Sequence, residues 1–293
     1  MEIALEGTFN TRDLGGMKTE EGHTIKTCRL IRSDSLSETT EEDKRILTEE
    51  YDLRQILDLR TLNELSEQAP ARIEKVSWIH LPVLQGEQPA VIEDGNHEEN
   101  TNTKGTSSSS SEKDSSENAS MASIFRDSIA QMNYDVPSAM KRMYGSVLSN
   151  DYSTAAIRKF FELLLTCEEG STLWHCTAGK DRTGILTFLL LGTLGVSHDD
   201  ILADYLISEK NLRPQTESII AEIKKESDDA DDSPLIQQAR ILNGVIPDYI
   251  ETMYDSVSKL GGDIPGYMKE CLKFSDSDIT DLKWLYLDTS VSG

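Results

Sequence analysis

The chain has 293 residues and a formal net charge of −23 at pH 7, and 37% of its residues are hydrophobic. That length suits one large domain or two small ones and permits a sizeable core. An acidic surface repels nucleic acid and anionic membranes, which excludes both as default partners, so any anion-binding site must be a local positive pocket.

The first third of the chain predicts short strands separated by turns. A turn-rich stretch over residues 10–16 comes first. Ser37 or Thr40 supplies an N-cap for a helix that runs to about Tyr51. Three apolar segments bounded by turn or charged residues are interpreted as strands: 25–33, 55–60 and 78–83.

Residues 86–120 differ from the rest of the chain in composition. They contain no aromatic residue and carry a serine run, Ser107–Ser111, among acidic residues. Such a segment cannot bury enough apolar area to offset the entropy of ordering it. We therefore predict a disordered insertion within a single domain that spans residues 1–293. It is either a mobile lid or an inert loop expansion, and we favour the second because polar tracts usually only solvate.

From Ser120 onward the pattern is mainly helical. Apolar residues over 157–165 recur at the spacing of one helix face, and Gly170 suits the end of that helix. A short strand is predicted over residues 171–174. Residues 185–194 are apolar nearly all round, which predicts a buried helix.

Capping signals mark the helices nearer the C-terminus. Ser197 begins one, and an acidic patch over residues 226–233 separates two helical stretches. Pro247 opens a helix that reaches Lys259, and Ser275 starts a capping box before another. Because strands alternate with helices along the chain, the predicted class is α/β.

The most informative segment is residues 174–184, which a short strand enters and an apolar helix leaves. A tight loop between such elements aims successive backbone N–H groups inward, and the helix adds its positive N-terminal end. The sequence therefore predicts an anion cradle of a size that suits one phosphate. Its side chains and backbone are the predicted phosphate-binding residues: Thr177, Ala178, Gly179, Lys180, Asp181 and Arg182.

The residue types in this loop suit phosphate-ester hydrolysis through a covalent phosphocysteine. N–H donors around Cys176 favour a thiolate, which is a strong nucleophile toward phosphorus. Arg182 can clamp two phosphate oxygens, and Gly179 lets the backbone turn close to the ligand. Thr183 can donate its hydroxyl to the thiolate, while His175 can bond the loop backbone and hold the cysteine.

Four motifs in the same order resemble the protein tyrosine phosphatase superfamily, and in particular the atypical tyrosine and dual-specificity phosphatases of bacteria and fungi. They are NxRDLGG at 10–16, RS at 32–33, DLR at 58–60 and HCxxGKDRTG at 175–184. The resemblance covers about residues 8–210. It implies a short, mostly parallel central sheet flanked by helices, with a helical C-terminal part.

The same resemblance implies the substrates. They are phosphotyrosine, with phosphoserine, phosphothreonine or phosphoinositides as further possibilities, so the expected partner is a phosphorylated protein or lipid. A wide basic rim would favour inositol lipids, and Lys180 and Arg60 are its candidate cations. The acidic composition weakens the lipid option unless those cations concentrate locally.

The proton donor for the leaving oxygen is open between two aspartates. The chain contains no Trp-Pro-Asp, the loop that supplies this acid in better-known tyrosine phosphatases. Asp181 is the first choice, because the resembling family has an important aspartate there, and Asp58 is the second. Either could instead be structural, paired with Arg60 or Arg12. We interpret Arg12 and Asp13 as a turn-stabilising pair, with pocket lining as the alternative for Arg12.

Two other functions stay open. A rhodanese-like sulfurtransferase also uses a loop cysteine, although the GKDRTG ending speaks against it. A phosphate-binding module that has lost turnover would keep the loop, although Cys176 and Arg182 are intact.

The remaining residues suggest no metal or cofactor. No C-x-x-C occurs among the four cysteines, and the histidines show no ligand spacing. No secretion signal and no apolar run of about 20 residues is present, so we expect no stable membrane insertion and a cytoplasmic location. The oligomeric state is left open.

Overall fold

A computed structural model of the protein describes residues 1–84, 92–93, 120–227 and 233–288. Nearly all of the predicted insertion, 86–120, lies outside these residues. The predictions of a mobile lid or an inert loop expansion concern that same stretch. Within the described part of the chain, no helix is long and apolar enough to cross a bilayer.

The strands are short and fall into a six-stranded and a two-stranded sheet. In chain order the described strands are β1 (Arg12–Asp13), β2 (Thr24–Ile25), β3 (Leu30–Ser33), β4 (Leu53–Asp58), β5 (Ser77–His80), β6 (Ile92–Glu93), β7 (Ser171–His175) and β8 (Leu287–Asp288). The larger sheet has the order β1-β3-β7-β4-β5-β6, and β2 pairs with β8.

Helices cover the sheet and make up most of the C-terminal half. They are α1 (Glu41–Arg45), which continues as a π-helical turn (Ile46–Glu50), then α2 (Leu62–Glu67), α3 (Met121–Gln131), α4 (Val136–Ser149), α5 (Asp151–Thr166), α6 (Asp181–Leu194), α7 (His198–Ser227), α8 (Pro234–Asn243), α9 (Pro247–Gly261), α10 (Ile264–Glu270) and α11 (Asp276–Tyr286). The α/β class and the helical C-terminal part are confirmed.

The centre of the main sheet is parallel. Strand β7 lies between β3 and β4 and runs parallel to both, and β4 is parallel to β5, whereas β1 and β6 pair antiparallel at the edges. The register aligns Ser33 with His175 and His175 with Asp58. Parallel strands therefore end together and bring three motifs to one sheet edge: RS, HC and DLR. Ligands of parallel α/β sheets bind at such carboxyl ends.

The helix that follows β7 is enclosed by the hydrophobic core. Almost every residue of α6 is buried, as its apolar composition predicts, and it ends at Gly195 in a left-handed conformation. Trp174 on β7 is fully buried and packs edge-on against Phe160 of α5, with its indole N–H donating to Thr187 at 3.2 Å. Burial of each leucine side chain of this helix stabilises the fold by about 1.5–3 kcal/mol. The loop that precedes α6 is therefore attached to a firmly packed helix.

Two predicted boundaries differ from the structure, and one choice that the sequence left open is decided. The strand predicted over residues 25–33 is split into β2 and β3, because Cys28 turns the chain with φ of 55°. Thr40 rather than Ser37 caps α1, since its hydroxyl accepts from the Asp43 N–H at 3.1 Å. Gly170 does not end α5; it forms a left-handed turn just before β7.

Candidate active site

The loop over residues 176–180 connects β7 to α6. Hydrogen bonds from neighbouring segments to its backbone carbonyl groups fix its conformation. The Ser35 N–H donates to the Thr177 carbonyl at 3.0 Å. The Asn10 side-chain amide donates to the carbonyls of Ala178 and Gly179, both at 3.1 Å. A trans peptide directs its N–H opposite to its carbonyl, so these bonds turn the next N–H groups to the other side of the loop.

Those N–H groups are the donors expected to bind the anion. Among the described residues, none accepts a hydrogen bond from the backbone N–H of Ala178, Gly179 or Lys180. Gly179 has φ of 66°, and a Cβ there would lie 2.5 Å from the Ser33 carbonyl oxygen, so only glycine fits. Unpaired donors beside a helix N-terminus are suited to an anion.

Cys176 lies at the bottom of the loop and is buried. The positive charges of Arg32 and Arg182 both act on its sulfur. His175 places Nδ1 3.1 Å from the Cys176 carbonyl oxygen, and burial lowers the pKa of this imidazole, which favours its neutral form. The Thr183 hydroxyl is buried and bonds to no described residue, so the predicted bond to the sulfur is not formed here.

Arg182 is held by a carboxylate that the sequence analysis did not identify. Its two terminal nitrogens each lie 2.6 Å from an oxygen of Glu64 on α2, and one also donates to the Leu59 carbonyl at 3.3 Å. Burial opposes ionisation of Glu64, but the bonds and charge of Arg182 hold its pKa well below the usual range. Thr177 donates its hydroxyl to the same carboxylate.

A sequence signal for Glu64 did exist. Thr61 and Glu64 form a capping box directly after the DLR motif, which marks the start of α2. That pattern predicts the helix terminus. It does not predict that the carboxylate reaches across to the phosphate loop.

Asp181 is the first residue of α6, and its side chain is 20% exposed. One carboxylate oxygen accepts a hydrogen bond from the Tyr144 hydroxyl at 2.6 Å, and Tyr144 in turn lies 2.7 Å from the Tyr205 hydroxyl. The other oxygen lies 3.4 Å from the ammonium of Lys180. Both tyrosines are further contributors that the sequence analysis missed.

Lys180 does not lie at an exposed rim. The residue is 5% exposed, and its ammonium donates to the carbonyls of Leu242 and, at 3.0 Å, Gly244. Carbonyls at the C-terminal end of α8 have no partner within the helix, so they attract a cation. The predicted role of this side chain as a rim charge is corrected accordingly, and Arg60, the other candidate rim cation, is also buried.

Asp58 is fully buried in an ion pair. Its carboxylate lies 2.8 Å from Arg60 and accepts the Trp78 indole N–H at 3.3 Å. Burial opposes ionisation, but His175 and Arg60 lower the pKa of Asp58. Of the alternatives left open by the sequence, the structure has the pair of Asp58 with Arg60, in which both side chains are buried.

Arg12 is paired with a residue from the other half of the chain. Its Nε lies 2.7 Å from Asp204 on α7, and Arg32 lies 2.6 Å from the second oxygen of the same carboxylate. The predicted pair with Asp13 is wrong, because Asp13 instead accepts the backbone N–H groups of Gly15 and Cys28.

Arg32 connects this ion pair to the phosphate loop. It donates to the Gly179 carbonyl at 2.9 Å. The ion pairs of Asp204 with Arg12 and Arg32 therefore hold Arg32 in position to support the loop. Burial opposes ionisation of Asp204, while Arg12 and Arg32 lower its pKa. No local pattern in the sequence indicates this carboxylate.

Comparisons with known proteins agree with the geometry. The model of the tyrosine phosphatase family matches residues 3–288. A Cupriavidus necator protein assigned as a tyrosine-protein phosphatase is 26% identical over 98% of this chain and 88% of its own. The triple specificity protein phosphatase PtpB of Mycobacterium tuberculosis is 24% identical over 91% of this chain and 92% of its own. A tyrosine-protein phosphatase of Nostoc commune is 41% identical over 64 residues, 22% of each chain.

Proposed function

The chain belongs to the tyrosine phosphatase family, and we propose that it hydrolyses phosphate monoesters through a phosphocysteine at Cys176. The observation that carries this proposal is a loop whose N–H groups have no acceptor within the described part of the chain, next to a buried thiol and Arg182. The protein is a phosphatase by family and by its relatives. The covalent intermediate and the substrates below are our inference.

The first chemical step transfers the phosphoryl group to sulfur. The N–H groups of residues 178–180 bind phosphate oxygens, and Cys176 attacks phosphorus as a thiolate. The bond from phosphorus to the ester oxygen breaks as Asp181 gives its proton to that oxygen. Arg32, Arg182 and the N-terminus of α6 stabilise the thiolate before the attack and after its release.

Water completes the cycle. It attacks phosphorus of the phosphocysteine, Asp181 takes the proton of that water, and the S–P bond breaks to give inorganic phosphate and the thiolate. Asp181 is thereby returned to its protonated state, and protons and electrons balance over the two steps.

Arg182 is oriented before the substrate arrives. Glu64 and Leu59 engage its terminal nitrogens, while its Nε–H donates to no described residue and is available to an oxygen of the phosphoryl group. Charge-assisted donors that need no reorganisation are the most effective form of transition-state stabilisation.

A phosphoprotein is the substrate class that we propose. The name of the Mycobacterium relative states triple specificity, which favours more than one substrate class, so phosphotyrosine, phosphoserine or phosphothreonine and phosphoinositides all stay candidates from the sequence analysis. Both cations expected to form a basic rim, Lys180 and Arg60, are buried and internally paired. A chain of net charge −23 that buries both of these cations disfavours an inositol headgroup bearing several phosphates.

The test compares wild type with Cys176→Ser for release of p-nitrophenol from its phosphate ester. We expect turnover in wild type and none above background in the variant, and Arg182→Lys should lose most activity because lysine cannot hold Glu64 with two nitrogens and also keep a directed N–H for the phosphoryl group. Equal rates in wild type and Cys176→Ser would remove the assignment. Persulfide formed from thiosulfate without phosphate release would favour a sulfurtransferase, and phosphate binding without turnover a silent module.

A further inference from the structure

A chain of hydroxyl groups extends from Asp181 into the helical part of the protein. Tyr144 on α4 lies 2.6 Å from one Asp181 oxygen, and Tyr205 on α7 lies 2.7 Å from the Tyr144 hydroxyl. Both tyrosines are almost completely buried. Three helices, α4, α6 and α7, therefore meet at this one carboxylate.

The direction of donation follows from the chemistry of the groups. Tyr144 donates its hydroxyl proton to one Asp181 oxygen, so its own oxygen is left to accept from Tyr205, and the proton that Asp181 transfers in the reaction is carried on its other oxygen. Burial, followed by the charge of Asp181, raises the pKa of both phenols well above their usual range. Both hydroxyl groups are therefore protonated donors at neutral pH.

Space for this arrangement is provided by a glycine in the first turn of α6. Gly184 is the last residue of the GKDRTG motif, and a Cβ there would lie 3.1 Å from the Tyr205 ring. That distance is tighter than ordinary van der Waals contact, so a side chain at this position would require the Tyr205 ring to shift. The glycine is thus explained by the approach of a ring and not by a turn.

We propose that Tyr144, supported by Tyr205, is a positioning residue that orients the carboxyl group of Asp181 for proton transfer. This inference rests on the proposed function. Tyr144 fixes one oxygen, and the other, which lies 3.4 Å from the Lys180 ammonium, is the one that transfers its proton to the leaving group. No proton passes from the tyrosines, which only orient the acid. The other charged or titratable groups that face the carboxylate are Lys180 and Arg182 from its own segment and Tyr249 from α9.

The experiment measures kcat/KM over a series of phosphate monoesters with increasingly poor leaving groups, from p-nitrophenyl through phenyl to an alkyl phosphate. Poor leaving groups need the acid most. We expect Asp181→Asn to lose about 100-fold or more on the poorest substrate and little on p-nitrophenyl phosphate. Tyr144→Phe should show the same trend with a smaller loss of about tenfold.

Tyr249→Phe is the matched control. Its ring stacks on Tyr144 with centroids 5.2 Å apart, yet its hydroxyl is buried and has no partner among the described residues. Tyr249→Phe therefore changes the same aromatic cluster but removes no hydrogen bond between Asp181, Tyr144 and Tyr205. We expect wild-type kcat/KM across the whole series.

Two further variants separate positioning from structure. Tyr205→Phe removes the outer donor and should give a smaller loss with the same dependence on the leaving group. Adding Tyr144→Phe to Asp181→Asn should cause no further loss, because the group being oriented is already gone. A loss in Tyr144→Phe that is equal for all substrates, or that adds fully in the double variant, would overturn the positioning role. Turnover that does not depend on Cys176 would instead overturn the proposed function.

Discussion

Replacing Glu64 by glutamine should weaken catalysis because it releases Arg182 from its preorganised position. In the wild-type protein both terminal nitrogens of the guanidinium bind Glu64 at 2.6 Å. Glutamine keeps the shape and one acceptor but removes the charge and turns the second contact into a donor facing a donor. The guanidinium then samples other orientations and must be ordered again in each transition state.

The magnitude follows from the exposure of the pair. The Arg182 and Glu64 side chains are 11% and 26% exposed, so this is neither a surface pair nor a fully buried one. Hydrogen bonds to charged groups are worth about 1.5–3 kcal/mol, and solvent access to Glu64 reduces that figure. A loss of about 2 kcal/mol in the transition state corresponds to a roughly 30-fold lower kcat/KM.

The assay is steady-state hydrolysis of p-nitrophenyl phosphate by wild type, Glu64→Gln and the control Glu67→Gln, whose residue also lies on α2. We expect the loss in Glu64→Gln alone. If the carboxylate instead competed with the substrate for Arg182, Glu64→Gln would show a lower KM and equal or higher turnover. That result would refute the preorganisation argument.

The Glu64 pair also predicts how stability depends on pH. Because Arg182 lowers the pKa of Glu64 in the folded state, the pair stabilises the protein above the unfolded pKa of about 4.3 and loses its contribution as pH falls toward the folded value. The difference in unfolding free energy between wild type and Glu64→Gln should therefore be constant at neutral pH and shrink below about pH 4. A difference that grew on acidification would contradict this.

Three further predictions concern the supports of the loop and the insertion. Asp204→Asn should cost about 3–5 kcal/mol of unfolding free energy, because Arg12 and Arg32 are left as buried charges; a change below about 1 kcal/mol in denaturant titrations would contradict the clamp. Lys180→Met should lower the melting temperature but leave the ratio of kcat/KM between substrates with one and several phosphates unchanged, and a selective loss on the latter would restore the rim role. Deleting residues 94–118 should preserve cooperative unfolding and p-nitrophenyl phosphate hydrolysis, as the composition of that stretch predicts; a broad, non-cooperative transition would show that it contributes to the core.

The chemistry was predictable because it lies in contiguous segments. The loop around Cys176 carries its nucleophile, its glycine and its arginine within seven residues, 176–182. The apolar composition of α6 and the capping signals at Thr40 and Ser275 are likewise local, and the structure has them where the sequence predicts. The motifs mark where the strands end. Only the observed strand pairing shows that Ser33, His175 and Asp58 lie side by side.

The supporting contacts could not be predicted, because they join distant parts of the chain. Asp204 is 192 residues from Arg12, and nothing in the composition of α7 distinguishes it from other acids on that helix. Lys180 was misjudged for a related reason: a cation beside an anion site is expected to face the anion. Its length instead lets it reach the free carbonyls at the end of α8, which belong to a helix that the sequence alone does not place nearby.

The central claim is a covalent bond between phosphorus and the sulfur of Cys176. Rapid mixing of the wild-type protein with p-nitrophenyl phosphate, followed by quenching and peptide mass spectrometry, tests it directly. The mechanism predicts one added phosphoryl group on the peptide that contains Cys176, and none there in Cys176→Ser. Steady turnover with that peptide unmodified at every quench time, or with the phosphoryl group on another residue, would contradict the mechanism.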